Sequence, residues 1–286
     1  MTIYRYFSQD YVGHSKSSAY LLAIASQYIY HDKPPGKAGE AFEERFERYF
    51  TMLSQTDPFD VRIYADSPPD SFPYDTEAAV LSNSKLILVV FRGTEGAQAV
   101  RDWLTNLHHL MMRAPDSWGK MHVHRGFYAA LSTIYQSVRN RVRATRTNNQ
   151  KVFLTGHSLG GALATLCAFR LQKVGSVNVD GVYTFGAPRV GDLDFANKYN
   201  DILKAKTFRW VYKNDFGPQL PVRAGPAAPA PLYVHSGLLN LVKVSGGIDM
   251  DAVDLPVGFS PSSILDHDMR RYIATMYSRL SDDARQ

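Results

Sequence analysis

The chain has 286 residues, of which 32 are basic and 27 acidic, and its formal net charge is +5. A hydrophobic share of 45% with 21% charged residues is typical of a globular protein with a large core, and it excludes a disordered or fibrous chain. Positive charge is concentrated only at 139–146, where a solvated helix face accounts for it, so nucleic acid binding is not expected. We expect one α/β domain over 1–286.

Membrane and export signals are weak in this sequence. The apolar runs at 19–24 and 86–91 are far shorter than the ~20 residues that span a bilayer, so no transmembrane segment is predicted. The first ten residues include Asp10 and lack a basic start that leads into an apolar core, so no signal peptide is predicted in the chain as given. A soluble protein, either cytoplasmic or exported by another route, remains the expectation. The single cysteine, Cys167, excludes an internal disulfide.

The first half of the chain begins with helical patterns and continues with β-rich runs. Apolar periodicity predicts helices at 15–30 and 38–52, and strands at 61–64, 77–81 and 86–91. A long amphipathic helix follows, because five apolar residues recur at helical spacing: Phe127, Leu131, Ile134, Val138 and Val142.

The second half of the chain alternates between strand and helix. Strands are predicted at 182–185 and 207–212, with a helix at 192–202 between them, and 217–231 is a loop rich in Pro, Gly and Ala. Such alternation builds a mostly parallel sheet flanked by helices. Ligands of these folds bind at the carboxyl ends of the strands.

A G-x-S-x-G pattern carries the strongest chemical signal. Gly156, Ser158 and Gly160 stand between a β-prone run and a helical run at 162–171. In that context the pattern predicts a tight strand-to-helix turn that exposes the hydroxyl of Ser158 as a nucleophile. The alternative is a glycine-rich helix start that packs closely or binds a phosphate. Both flanks favour the nucleophile.

A serine nucleophile needs a histidine base and a carboxylate that orients the base. In α/β-hydrolases the chain order is serine, acid, histidine, which leaves His235 and His267, because the other seven histidines precede or adjoin Ser158. His267 stands at the start of the last helix, whereas His235 lies in a β-like run at 232–237. Order and loop position favour His267.

The best candidate for the acid is Asp215. It follows the strand at 207–212, where a carboxylate lies at the carboxyl edge of the sheet. Three other aspartates after the serine are expected to face water, since they lie within or at the cap of a helix: Asp192, Asp194 and Asp201.

Two further features, a group of histidines and a short amphipathic helix, have both a structural and a functional interpretation. Four histidines occur between the β-rich runs and the long helix, namely His108, His109, His122 and His124. Without cysteines or an H-E-x-x-H spacing they do not predict a zinc site, and no metal or cofactor is expected. A short amphipathic helix is predicted from four apolar residues at i, i+3, i+4 and i+7: Val100, Trp103, Leu104 and Leu107.

Five motifs in order give the chain a resemblance to the class 3 lipases, the fungal-type triacylglycerol lipases. They are Val90-Phe-Arg-Gly-Thr, Val123-His-Arg-Gly-Phe, Thr155-Gly-His-Ser-Leu-Gly-Gly-Ala, Thr184-Phe-Gly-Ala-Pro-Arg-Val-Gly and Leu265-Asp-His. The resemblance implies an α/β-hydrolase fold with Ser158 as nucleophile, Asp215 as acid and His267 as base. His235 then becomes a structural residue near the site.

The same resemblance bears on the oxyanion hole and on a lid. The N–H of Leu159 is the first oxyanion donor by position, and Thr94, otherwise a plain helix cap, resembles the residue that supplies the second. The helix at about 95–107 occupies the position of the family's lid, with Gly93 and Gly96 as candidate hinges. An ordinary packed helix is the alternative. Phe216 departs from the family, in which a small apolar residue is commoner after the acid.

The sequence therefore predicts a cofactor-free serine ester hydrolase, most simply a triacylglycerol lipase that acts transiently at lipid surfaces. Mono- or diacylglycerol lipase, phospholipase A1 and feruloyl-type esterase are alternatives within the same chemistry. A catalytically silent lipid-binding protein and a metal-dependent hydrolase are alternatives from other classes.

Overall fold

The structure is a computed structural model. It describes residues 16–30, 44, 46–48, 50, 57–66, 76–94, 111–147, 150–221, 233–250, 252 and 263–283. The helices in this part are α1 (Lys16–Tyr28), α2 (Arg125–Thr145), α3 (Leu159–Lys173), α4 (Leu193–Leu203), α5 (Ser263–Asp266) and α6 (Met269–Asp283). The strands are β1 (Asp60–Asp66), β2 (Thr76–Ser82), β3 (Leu86–Phe91), β4 (Met111–Arg113), β5 (His122–His124), β6 (Lys151–His157), β7 (Gly181–Phe185), β8 (Thr207–Tyr212), β9 (Leu238–Val242) and β10 (Ile248–Met250).

The main sheet has the strand order β1-β2-β3-β6-β7-β8-β9-β10. The centre is parallel from β3 through β9, and β1, β2 and β10 extend it with antiparallel pairs. Strands β3, β6 and β7 are buried on both faces except at Lys151, which explains why β3 is apolar throughout and why β6 and β7 are mostly apolar. The predicted α/β-hydrolase fold, with a mostly parallel sheet flanked by helices, is confirmed.

Helices cover both faces of this sheet. On one face α2 and α3 pack over the strands, and all five predicted core residues of α2 are buried. On the other face α1 and α6 pack against each other and against the sheet. Helix α3 is buried on nearly every side, because it lies directly under the nucleophile strand β6 and between α2 and β7.

Several predicted segments differ from the structure. Of the β-like run at 232–237, the described residues 233–237 are not a strand: Val234 forms only an isolated bridge with Gly191, and the strand is β9, which starts at Leu238. Strands β4, β5, β9 and β10 were not predicted, because β4, β5 and β10 have only three residues each and Asn240 interrupts the apolar run of β9. Of the helix predicted at 38–52, the described residues 44, 46–48 and 50 are helical. The lid segment at 95–107 and residues 222–231 of the predicted loop lie outside the described residues.

Within the described residues, none of the helices has the length and hydrophobicity required to cross a bilayer.

Candidate active site

Ser158 lies at the sharp turn between β6 and α3. Its φ of 55° and ψ of −125° place a non-glycine residue in a region that is sterically costly for L-amino acids. The surroundings enforce this geometry, because the Ser158 N–H donates to the carbonyl of Phe185 and its own carbonyl accepts from Gly161 and Ala162. The turn therefore fixes the serine side chain at the carboxyl edge of the sheet.

The two glycines of the motif are required by close approach. A Cβ on Gly160 would lie 2.2 Å from the carbonyl oxygen of Phe91, at the end of β3. A Cβ on Gly156 would lie 2.3 Å from the carbonyl carbon of Gly160. Any side chain at either position would push α3 away from the strands, so these glycines allow the tight turn.

Ser158, His267 and Asp215 form one continuous hydrogen-bonded chain. His267 Nε2 lies 2.8 Å from Ser158 Oγ, and His267 Nδ1 lies 2.7 Å from Asp215 Oδ1. Because a carboxylate only accepts, Nδ1 carries the proton and Nε2 is free to accept the hydroxyl proton of Ser158. This tautomer is the one that a general base beside a nucleophilic serine requires.

The carboxylate of Asp215 is held by two donors besides the imidazole. The N–H of Gly217 donates to Oδ1 over 2.8 Å, and the hydroxyl of Tyr272 donates to Oδ2. The Tyr272 oxygen in turn accepts from the N–H of Tyr212, at the end of β8. Burial, and then the charge of Asp215, raise the pKa of Tyr272 well above its ordinary value, so it remains a donor. Asp215 is thereby anchored to both β8 and α6.

A second histidine, His157, supports the loop that carries His267. Its Nε2 lies 2.8 Å from the backbone carbonyl of His267, so Nε2 donates, and Nδ1 accepts from the hydroxyl of Tyr30 over 2.8 Å. The two imidazole rings are 4.5 Å apart. Burial first, and His267 second, hold the pKa of His157 well below its usual range, so the ring stays neutral beside the base. His157 thus couples α1 to the loop that carries His267.

Phe216, which departs from the family pattern, has a clear packing role. It is buried, and its ring lies 5.1 Å from that of His267. On the other side, a Cβ on Gly186 would come within 2.6 Å of Asp215 Oδ2. The imidazole and the carboxylate are therefore confined between Phe216 and the Gly186 backbone.

The predicted oxyanion donors lie beside the nucleophile turn. Leu159 begins α3, where N–H groups have no acceptor within the helix. Thr94 is buried, and its hydroxyl makes no hydrogen bond within the described part of the chain. The loop before it touches the turn, since a Cβ on Gly93 would lie 2.6 Å from the carbonyl oxygen of His157. A buried hydroxyl without a partner beside a nucleophile is suited to receive a developing negative charge.

Thr94→Val is expected to lower kcat by about 100-fold and to leave KM nearly unchanged, because the hydroxyl stabilises the substrate only when charge develops on the oxyanion. Hydrolysis of a soluble p-nitrophenyl ester measures both constants. Thr165→Val is a matched control, since the Thr165 hydroxyl is also buried but donates to the Gly161 carbonyl. A loss of the same size in the control would contradict the role of Thr94.

The other candidate residues lie elsewhere. His235 donates from Nε2 to the carbonyl of Pro218 and does not join the Ser158 chain. Asp192 caps α4 and also binds His122, while His124 caps α2. Asp194 and Asp201 lie on exposed positions of α4. His108 and His109 lie outside the described residues. The same holds for the four residues of the predicted lid helix, namely Val100, Trp103, Leu104 and Leu107.

Sequence reasoning missed Tyr30, His157 and Tyr272. His157 was set aside because it adjoins Ser158 and cannot serve as the base, although its place in the motif was a usable signal. Tyr30 and Tyr272 lie on helices remote from the motif in sequence. Only the packing of α1 and α6 on the sheet brings their hydroxyls to the site.

An α/β-hydrolase fold with this arrangement of serine, histidine and aspartate defines a serine hydrolase. Residues 88–225 match the family described as Lipase (class 3). The resemblance to the class 3 lipases that the five motifs predict is therefore confirmed over these residues.

Known proteins resemble this chain in both sequence and fold. A lipase of Rhizomucor miehei is 37% identical over 176 residues, which are 57% of this chain and 44% of the relative. The secreted mono- and diacylglycerol lipase 1 of Fusarium solani is 37% identical over 139 residues, covering 48% and 40% of the two chains. The structure of the Rhizomucor miehei triacylglyceride lipase superimposes with a TM-score of 0.60 at 26% identity, covering 87% of this chain and 91% of that chain.

The chain spans less than half the length of these curated relatives, 44% and 40%.

Proposed function

We propose that this protein is a serine lipase that hydrolyses acylglycerol esters through an acyl-enzyme. The observation that carries the proposal is the unbroken hydrogen-bonded chain from Ser158 Oγ through His267 to Asp215 Oδ1, with separations of 2.8 and 2.7 Å. The similarity to acylglycerol lipases supports the substrate class. A silent lipid-binding protein would have no need of a strained serine aligned with a base.

In the proposed reaction, His267 Nε2 takes the proton of Ser158 Oγ while this oxygen attacks the ester carbonyl. The Leu159 N–H and the Thr94 hydroxyl stabilise the oxyanion of the tetrahedral intermediate. His267 then gives its proton to the leaving alcohol. Water, activated by the same nitrogen, releases the fatty acid and restores Ser158. Asp215 keeps Nδ1 protonated and stabilises the imidazolium that forms in both steps.

The site is closed in this structure, which supports contact with a lipid surface. Ser158 has no exposed surface, and Asp215 and His267 are 1% and 5% exposed. An ester can reach Ser158 only after part of the covering chain moves. We propose that the amphipathic helix predicted at 95–107 is the segment that moves, with its apolar face on lipid when the site is open.

Acid release from emulsified tributyrin and triolein, titrated at constant pH, tests this function. We expect release from both oils, and a steep rise in rate when tributyrin exceeds its solubility limit, because a lipid surface favours the open site. Ser158→Ala should abolish both activities.

Release from tributyrin alone would restrict the protein to short-chain esters and contradict the lipase assignment. Phosphatidylcholine vesicles form a parallel arm, in which a higher rate than on either oil would identify a phospholipase instead. No release from any of these esters by folded protein would overturn ester hydrolysis.

A further inference from the structure

A second polar cluster lies on the α3 and α4 side of the sheet, and the proposed chemistry does not use it. Its centre is Arg209 on β8, whose side chain is half-buried. The Nε and Nη1 atoms of Arg209 are fully buried and make no hydrogen bond in the part of the chain that the structure describes. Buried N–H groups without an acceptor cost free energy, so they are rarely left without a partner.

The neighbours of Arg209 are donors and cations. Thr184 on β7 is its register partner, so both side chains point to the same face of the sheet, and the buried Thr184 hydroxyl also makes no hydrogen bond to a described residue. Burial, and then the charge of Arg189, lower the pKa of Arg209 to about 9. Burial is the largest cause, and the positive charges of Arg209 and Arg189 come next, in lowering the pKa of His235 well below its usual value. No acidic side chain is among the groups that shift the pKa of Arg209 or of His235.

The backbone carbonyls of the neighbouring loop accept hydrogen bonds from other groups. Arg189 donates to the carbonyls of Gln219 and Pro221, and His235 donates to that of Pro218. The sequence at 222–232, which follows this loop, contains no Asp or Glu. The cluster therefore combines buried donors that lack an acceptor with the positive charge of Arg209, and an anion is the group that would balance both.

We propose that Arg209 and Thr184 form a binding site for a small oxyanion, a carboxylate or a phosphate, with Arg189 supplying further positive charge. The oxyanion accepts from Arg209 Nε and Nη1 and from the Thr184 hydroxyl. A released fatty acid would present the carboxylate, and a phospholipid headgroup would present the phosphate.

This site lies behind the loop that holds the catalytic acid. Pro218, which binds His235, is adjacent to Gly217, and a Cβ on Gly217 would lie 2.6 Å from His267 Cε1. The segment 217–219 thus separates the cluster from the imidazole. Binding of an oxyanion stabilises the folded protein and this segment without involving Ser158, so the proposal stands apart from the ester chemistry.

Thermal unfolding of the full chain tests the site, with sodium phosphate and sodium butyrate added in separate arms against sodium chloride at equal ionic strength. At ten times its dissociation constant, a bound anion should raise the midpoint of unfolding by roughly 3 °C. The rise should vanish in Arg209→Met and shrink in Thr184→Val. It should persist in Ser158→Ala and in Arg113→Met, a control at an exposed arginine.

A rise with phosphate alone identifies the phosphate form, and a rise with butyrate alone identifies the carboxylate form. An equal rise with chloride, an equal rise in Arg209→Met, or none in the parent protein would overturn the site. Should Arg209→Met fail to fold, an NMR titration that follows the arginine Nε–H resonances of the parent protein tests whether the anion binds at Arg209. The resonance that is missing in Arg209→Lys must shift on titration with phosphate or butyrate, and an unchanged resonance overturns the proposal.

Discussion

Replacing Ser158 with alanine is expected to lower kcat for a soluble p-nitrophenyl ester by about 10⁶-fold, as removal of the nucleophile does in serine hydrolases. The reason is that, among the described residues, no other hydroxyl forms a hydrogen bond with His267 Nε2, the nitrogen that accepts the proton. The fold should persist, because the change to alanine removes only one oxygen atom and adds no atom that could clash. Circular dichroism should therefore give the parent secondary structure.

Ser26→Ala is the matched control for this change. Ser26 is also a fully buried serine, but its hydroxyl pairs with that of Thr155 in the core. Its replacement should leave the rate within tenfold of the parent protein. A serine-directed phosphonate should label the parent protein and the control, and leave Ser158→Ala unlabelled. Retention of more than 1% of the rate in Ser158→Ala would show that another group is the nucleophile.

The sequence predicted the fold best where its pattern was long or chemically specific. The α2 helix was predicted from five apolar residues, and all of them are buried. Strand β3 was predicted at its observed limits, because its six residues are apolar throughout. The short strands β4, β5 and β10 were not predicted, since three residues carry too little alternation to be recognised.

The same distinction applies to the candidate site. Motifs alone led to Ser158, Asp215 and His267, because nucleophile, acid and base occur in a fixed chain order. The supporting contacts could not be predicted, since each joins residues that are far apart in sequence. Tyr30 meets His157 across 127 residues, and Tyr272 meets Asp215 across 57. No local periodicity encodes such contacts, because they follow from how α1 and α6 pack on the sheet.

Asp215→Asn is expected to lower kcat by about 10⁴-fold while the protein stays folded. The asparagine oxygen can replace Oδ1 and still accept from His267 and from the Gly217 N–H. Its amide then faces the Tyr272 hydroxyl in place of Oδ2. The geometry is nearly kept, but the negative charge that stabilises the imidazolium is lost, so the loss appears in kcat rather than in KM. Steady-state hydrolysis of a soluble ester separates the two constants.

Asp266→Asn separates this electrostatic effect from the general cost of removing a buried carboxylate. Asp266 adjoins His267 in sequence and is 4% exposed, but its oxygens accept from the Asn214 N–H and from Arg271. Its loss should reduce thermal stability and change kcat by less than tenfold, since Asp266 makes no contact with the imidazole nitrogens. Equal losses of kcat in the two variants would mean that Asp215 serves the packing of the loop, and that the imidazolium draws its stabilisation from elsewhere. A loss confined to Asp215→Asn would instead locate that stabilisation in a single carboxylate, held in place by Gly217 and Tyr272.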